Sequence, residues 1–232
     1  GGNRILKVLK DTGIQLEDIH DIFITHEHID HLLGVIWLIR MIGQKKIGQG
    51  KYEGNLRIYC HEELARSIRM IAELTIQKKV TKYFDDRILF VPVHHGETKE
   101  ILGCPVTFFD IFSTKAKQFG FTMLLPDGVK FTCCGDEPYN EKDYEFVKGS
   151  DWLLHEAFCL YEERDRFKPY EKHHSTVKDA AELAESLHIP NLVLWHTEDK
   201  SVGKRKELYM AEGKAYYHGN LYVPEDRDII AL

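Results

Sequence analysis

Six consecutive residues, His26-Glu27-His28-Ile29-Asp30-His31, hold the densest chemistry in this 232-residue chain. Imidazoles and a carboxylate at such spacing are the ligand types that hold a zinc-class cation. Alternation along an extended segment puts His26, His28 and Asp30 on one side, and His31 then enters from the start of a following helix. A histidine-rich surface loop is the plain alternative. The flanks argue against it, because "DIFI" precedes the cluster and "LLGVIWLI" follows it, and both read as core. Desolvating that many polar groups between apolar runs is costly unless a metal pairs with them.

The elements that must position the cluster follow from hydrophobic period and turn chemistry. Residues 19–24 read as a short buried strand before it, and residues 32–41 as an apolar helix after it. A helix over residues 3–12 precedes them, with Ile5, Leu6, Val8 and Leu9 toward the core. Further along, residues 56–60, 87–93 and 106–112 read as strands and 62–77 as a helix. Strands at 119–125 and 129–134 are joined by Pro126-Asp127-Gly128, a hairpin signal. A strand at 151–154, a helix at 176–187 capped by Ser175, and a strand at 192–195 ending at His196 complete the reading. Strands alternate with helices but hairpins are mixed in, which predicts an α/β fold with mixed sheets. No linker, repeat or low-complexity stretch interrupts the chain, so residues 1–232 read as a single domain.

Composition sets outer bounds. With 43% hydrophobic, 29% charged and 11% aromatic residues the chain is neither disordered nor collagenous nor a coiled coil. A net charge of −6 gives no general pull toward nucleic acid or an anionic membrane. No apolar run approaches the roughly 18–20 residues of a membrane span, and the start lacks the layout of a secretory signal. The five cysteines, Cys60, Cys104, Cys133, Cys134 and Cys159, are odd in number and show no CxxC. They read as reduced core thiols of a cytoplasmic protein.

The H-x-H-x-D-H pattern resembles that of the metallo-β-lactamase fold superfamily. The resemblance implies an αββα sandwich of two mixed β-sheets with outer helices and up to two metals. It assigns His26 and His28, with a later histidine, to the first metal. Asp30 and His31, with a final histidine, fall to the second. One later aspartate bridges both. Asp136 in "CCGDEP" and His196 in "LVLWHTED" stand at strand ends in the matching order. Zinc suits this donor set best, with manganese and iron as alternatives.

A narrower resemblance covers the second half. "SDWLLHEAF" at 150–158 and "HSTVKDAAELAESLHIPNLVLWHTED" at 174–199 are similar to segments of ribonuclease Z-type enzymes. In that group the histidine of His-Ser-Thr contacts the scissile phosphate rather than a metal. Here the matching residue is His174, with His173 beside it. The resemblance implies a hydroxide activated at a one- or two-metal site, oriented by Asp30. His174 then stabilises the oxygen that gains charge, and Glu156 orients His174.

The chain departs from that pattern in three places. No histidine stands near Ser113 and Thr114, where the later ligand of the first metal belongs. Asp110 is an oxygen donor nearby, and His94 and His95 lie on an earlier segment. Only a hairpin separates Phe121 from Asp136, so the arm that grips tRNA in the ribonuclease Z group is absent, and a small or short phosphodiester is the expected substrate. Lys115, Lys117, Lys200, Lys204 and Arg205 read as ordinary solvated cations. The run Gly1-Gly2-Asn3 matches the residues after the group's first turn, so its N-terminal strands are expected to be missing from this chain. The sheet edge this leaves open favours a homodimer. The readings to separate are a phosphodiesterase-like hydrolase, a hydrolase of another ester, lactone, thioester or β-lactam on the same site, and a metal-poor binding module.

Overall fold

The computed structural model describes residues 2, 4–201 and 203–232. Gly1 and Asn3, on which part of the N-terminal expectation rests, lie outside the described residues. Contacts divide the chain into two units, one of residues 1–94 and 114–118 and the other of residues 95–113 and 119–232.

The first unit is built on a three-stranded parallel sheet in the order β1 (Asp21–Phe23), β2 (Leu56–Cys60), β3 (Ile88–Pro92). Parallel neighbours need crossovers, and helices supply them. Helix α1 (Ile5–Asp11) precedes β1. Helix α2 (Ile29–Lys45) links β1 to β2, and α3 (Glu62–Thr75) with the short α4 (Lys78–Thr81) links β2 to β3. Leu32, Val35, Leu38, Ile39 and Ile42 recur at helical spacing on α2 and are buried with Leu56, Ile58, Leu64, Ile68 and Ile88 in one cluster.

The second unit carries a seven-stranded mixed sheet. Its strands are β4 (Thr98–Ile101), β5 (Cys104–Asp110), β6 (Phe119–Leu124), β7 (Lys130–Cys133), β8 (Trp152–Glu156), β9 (Asn191–Trp195) and β10 (Asn220–Tyr222), in reverse spatial order from β10 to β4. Strands β4 to β7 pair antiparallel, and β7 to β10 pair parallel. Helices α5 (Tyr144–Val147), α6 (Arg164–Phe167), α7 (Val177–Ser186) and α8 (Arg205–Gly213) complete it. Val177, Ala180, Ala181 and Ala184 of α7 are buried against Leu153, Leu192 and Leu194. At Gly120 a Cβ would lie 2.6 Å from the Cys133 carbonyl and 2.7 Å from the Phe109 ring, so glycine is what lets β6 lie between its neighbours.

Several expected elements change on inspection. Helix α2 begins at Ile29, three residues earlier than periodicity suggests, so Asp30 sits in its first turn and not in an extended segment. The β6–β7 hairpin forms as expected, with Leu125 and Val129 closing its turn. The cap of α7 is Thr176 and not Ser175: its hydroxyl accepts from the Asp179 amide while the Asp179 carboxylate accepts from the Thr176 amide. Strands β4 and β10 and helix α8 were not legible, being short, polar or without clear period. All five cysteines are buried free thiols. Burial pushes Cys60 up to about 12 and Cys133 up to about 11, so neither thiol is activated. No helix among the described residues is long and apolar enough to cross a membrane.

Candidate metal centre

In the first unit the chemistry gathers where β1 ends. Main-chain pairing of Ile24 to Tyr59 extends the strand by one residue, and the chain then turns into α2 with His28 at the N-cap. His26 is fully buried, and its Nδ1 lies 2.9 Å from the Thr25 hydroxyl. That contact fixes the ring and directs Nε2 as its second nitrogen. The His26 ring centroid lies 4.4 Å from that of His28 and 4.3 Å from that of His31. Nε2 of His31 lies 3.2 Å from Oδ2 of Asp30, one position earlier on the same helical turn. The six-residue motif thus folds into one knot of imidazole and carboxylate. A helix N-terminus beneath it favours the Asp30 carboxylate electrostatically.

In the second unit the chemistry stands at the C-terminal ends of neighbouring parallel strands. Register pairs Cys133 with Leu154 and Glu156 with Trp195, so the residues just past β7, at the end of β8 and just past β9 stand in a row. These are Asp136, Glu156 and His196. Ligand sites favour this edge of a parallel sheet, because strand ends converge there before the chain turns away. Gly135 has φ +80°, which lets the chain reverse straight after β7 and aim Asp136. His196 itself has φ +52°, a left-handed conformation rare for a side chain of its size. The strained backbone brings its Nε2 to 3.3 Å from Oδ2 of Asp136, which is 4% exposed.

His174 joins the row from the loop before α7. Its ring stacks on His196 at 5.3 Å and on Phe158 at 5.0 Å. Nδ1 of His174 lies 3.6 Å from Oε2 of the fully buried Glu156, whose Oε1 accepts from the Ser175 amide. One donor atom each from Glu156, His174 and His196 lie within 4.8 Å of one another. His173 is exposed and left-handed, with φ +55°, and turns the chain so that His174 points inward.

Other sequence candidates are engaged elsewhere. His155 is a satisfied core histidine: Nδ1 donates to the Glu156 carbonyl, Nε2 accepts from the Tyr139 amide, and burial lowers its pKa. His95 accepts from the Asp110 amide through Nδ1 and packs on Phe112 and Phe146. Asp110 accepts from the Phe112 amide. Ser113 donates its hydroxyl to Glu137 at 2.8 Å. Glu137, 6% exposed beside Asp136, escaped sequence reading because one more acid after a Gly-Asp turn carries no pattern. His61 escaped it too. It caps α3 at the end of β2 by accepting from the Leu64 amide, and burial lowers its pKa.

A family model described as the β-lactamase superfamily domain matches residues 3–197, a span that contains every candidate ligand above. The chain belongs to this superfamily. It is a superfamily hydrolase of the ribonuclease Z-like branch with a metallo-β-lactamase fold. The ribonuclease Z of Phocaeicola vulgatus is 25% identical over 243 residues, which cover 84% of this chain and 76% of that one. Among solved structures, the metallo-β-lactamase fold protein YhfI from Bacillus subtilis matches with TM-score 0.77 at 17% identity, over 97% of this chain and 83% of that chain. The short form of human tRNase Z matches with TM-score 0.73 at 21% identity, over 99% and 85%.

The residues present fit the divalent metals typical of the superfamily. Each unit gathers imidazole nitrogens and carboxylate oxygens, a donor set that zinc accepts. His26 is buried among these rings, and a bound metal would offset the cost of its desolvation. In the second unit Oε2 of Glu156 and Nδ1 of His174 are buried without a hydrogen-bond partner.

Proposed function

We propose that this superfamily member is a metal-dependent, phosphodiesterase-like hydrolase of small or short phosphodiesters, with residues 1–232 working as one domain. The observation that carries the reading is the strand-end row of Asp136, Glu156 and His196 with His174 stacked against it. In this reading His26, His28, Asp30, His31, Asp136 and His196 hold one or two ions, zinc before manganese or iron. The family match over residues 3–197, a span that includes all six, supports it. When bound, such ions supply Lewis acidity toward a phosphoryl oxygen and lower the pKa of nearby water.

The chain's own groups do the rest. Asp30, exposed in the first turn of α2, orients the attacking water and accepts its proton at a carboxylate oxygen. His174 holds a proton at Nδ1 toward Glu156 and donates from Nε2 to the oxygen that gains charge. Phe158 and His196 flank the ring and restrict it to one orientation, so little reorganisation accompanies the reaction. Glu156 is held by the Ser175 amide and serves as the fixed anion behind the histidine. A short β6–β7 turn in place of a long arm, with a net charge of −6, favours small substrates over tRNA. Buried reduced thiols fit a cytoplasmic setting.

The test is elemental analysis of the purified protein with a substrate panel of a bis-aryl phosphate, a short RNA, a lactone, a β-lactam and precursor tRNA. Turnover of the first two is expected. Turnover of the lactone or β-lactam alone moves the chemistry to another ester class. Less than one metal per chain, with no turnover after metal addition, leaves a binding module. Efficient precursor tRNA cleavage overturns the substrate assignment.

A further inference from the structure

The opposite end of α2 carries a second chemistry. Residues 44–51 and 77–83 contain six lysines and no acidic residue, leaving 25 of the chain's 31 Lys and Arg against 37 Asp and Glu. The excess gathers at one place in the first unit. A cavity of about 390 Å³ is lined by Lys45, Lys79 and Lys82 with Gln44, Gln49 and Tyr83, and no carboxylate lines it. Its walls are set by close packing. A Cβ on Gly43 would lie 2.5 Å from Val80, so glycine there lets α4 lie against the end of α2. The turn after α2 folds back on itself, with the Gln49 and Lys51 amides both donating to the Lys46 carbonyl.

Two of the neighbouring acids are engaged by other cations. Glu17 pairs with Lys46 at 2.6 Å, and Asp85 takes both arms of Arg69. Among the described residues none of Lys45, Lys79 and Lys82 has an ion-pair partner. Lys82 instead lies 4.9 Å over the Tyr83 ring. Compensation of the helix dipole accounts for Lys45 and Lys46 at the end of α2. Lys79 and Lys82 stand likewise at the C-terminal end of α4, so two helix C-termini bring their lysines to one cavity. Lys45, Lys79 and Lys82 are exposed around one cavity, and an anion seated among them would relieve their mutual repulsion.

We propose that this cavity is a binding site for a multivalent phosphate anion, separate from the hydrolytic centre. Lysine is a compact, strongly hydrated point charge suited to phosphate oxygens, and the amides of Gln44 and Gln49 and the Tyr83 hydroxyl add neutral donors. Helix α2 runs between the two sites. At about 1.5 Å per residue the helical run from His31 to Lys45 separates the cavity from His31 by roughly 20 Å. A ligand here is therefore held and not cleaved. Its phosphates come either from a small polyphosphate or from a nucleic-acid backbone, and the chemistry of recognition is the same.

The experiment compares the 232-residue protein with a Lys45→Gln/Lys79→Gln/Lys82→Gln variant and the matching triple Lys→Arg variant. Sodium tripolyphosphate is titrated by calorimetry at low salt, and a fluorescent single-stranded RNA by anisotropy. The wild type and the arginine variant are expected to bind tripolyphosphate. The glutamine variant is expected to bind at least about tenfold more weakly, with a shallower salt dependence. All three should melt alike and hydrolyse a bis-aryl phosphate alike, because none of these lysines belongs to the hydrolytic machinery. RNA binding that falls in parallel assigns the site to a nucleic-acid backbone. Tripolyphosphate binding alone assigns it to a small anion. No binding to the wild type, or equal binding to the glutamine variant, overturns the proposal.

Discussion

Nδ1 of His174 and Oε2 of Glu156 face each other at 3.6 Å in the second unit, both buried and neither with a hydrogen-bond partner. The distance is too long for a hydrogen bond and within reach of an electrostatic contact between ring and carboxylate. His174→Ala is expected to lower kcat on a bis-aryl phosphate by about 100- to 1,000-fold. Glu156→Gln is expected to cost about 10- to 100-fold with a smaller change in KM, and to change the pH profile of kcat. Steady-state kinetics of both variants checks this. A Glu156→Gln enzyme with an unaltered kcat and pH profile leaves Glu156 as a purely structural carboxylate.

The knot at the start of α2 makes a prediction about metal content. His26→Ala removes the ring that Thr25 fixes in place, and Asp30→Ala removes the carboxylate beside His31. Both variants should retain less metal than the wild type after dialysis, read by elemental analysis. Asp30→Ala should also lose at least about 100-fold in kcat, as expected for removal of a general base. Turnover that survives Asp30→Ala excludes this residue as the proton acceptor.

The cap of α7 separates two adjacent hydroxyls. Thr176→Ala removes the hydroxyl's bonds with Asp179, leaving the Thr176 amide bond, and is expected to cost about 1 kcal/mol in urea denaturation. Ser175→Ala keeps the amide that serves Glu156 and should cost less. Equal losses would mean that the helix start is misassigned.

Asp143 gives the stability a pH dependence. Burial, with the Asp110 carboxylate nearby, pushes its pKa up to about 7 from the ordinary 3.8, and its Oδ1 has no hydrogen-bond partner. The folded chain therefore keeps this proton up to about pH 7, while the unfolded chain releases it near pH 4. Between those values the native state binds more protons, so stability falls as pH rises and the loss is complete above about 7. Relative to the wild type, Asp143→Asn should gain stability progressively between pH 4 and 7. Denaturant midpoints across that range test it, and a difference that stays constant with pH refutes it.

Gly120→Ala should destabilise the second unit by about 1–3 kcal/mol, because the new methyl meets the Cys133 carbonyl and the Phe109 ring. Thermal melting measures it, and a change within error would show that β6 can shift to make room.

Much of this protein was determined by residues close together in the chain. The H-x-H-x-D-H cluster, the β6–β7 hairpin and the amphipathic α7 are local patterns, set by ligand spacing, turn chemistry and a period near 3.6, and local patterns survive without knowledge of the fold. What the tertiary structure alone decided depends on residues far apart in sequence. Asp136, Glu156 and His196 become neighbours only through the parallel register of β7, β8 and β9. His174 becomes a partner of Glu156 only because a left-handed His173 turns the chain inward. The lysines of 44–51 and 77–83 look like ordinary solvated charges until Gly43 seats Val80 and brings two helices together. Strand order and helix contact arise from burying apolar faces over the whole core, and no single segment encodes which distant side chains that burial makes adjacent.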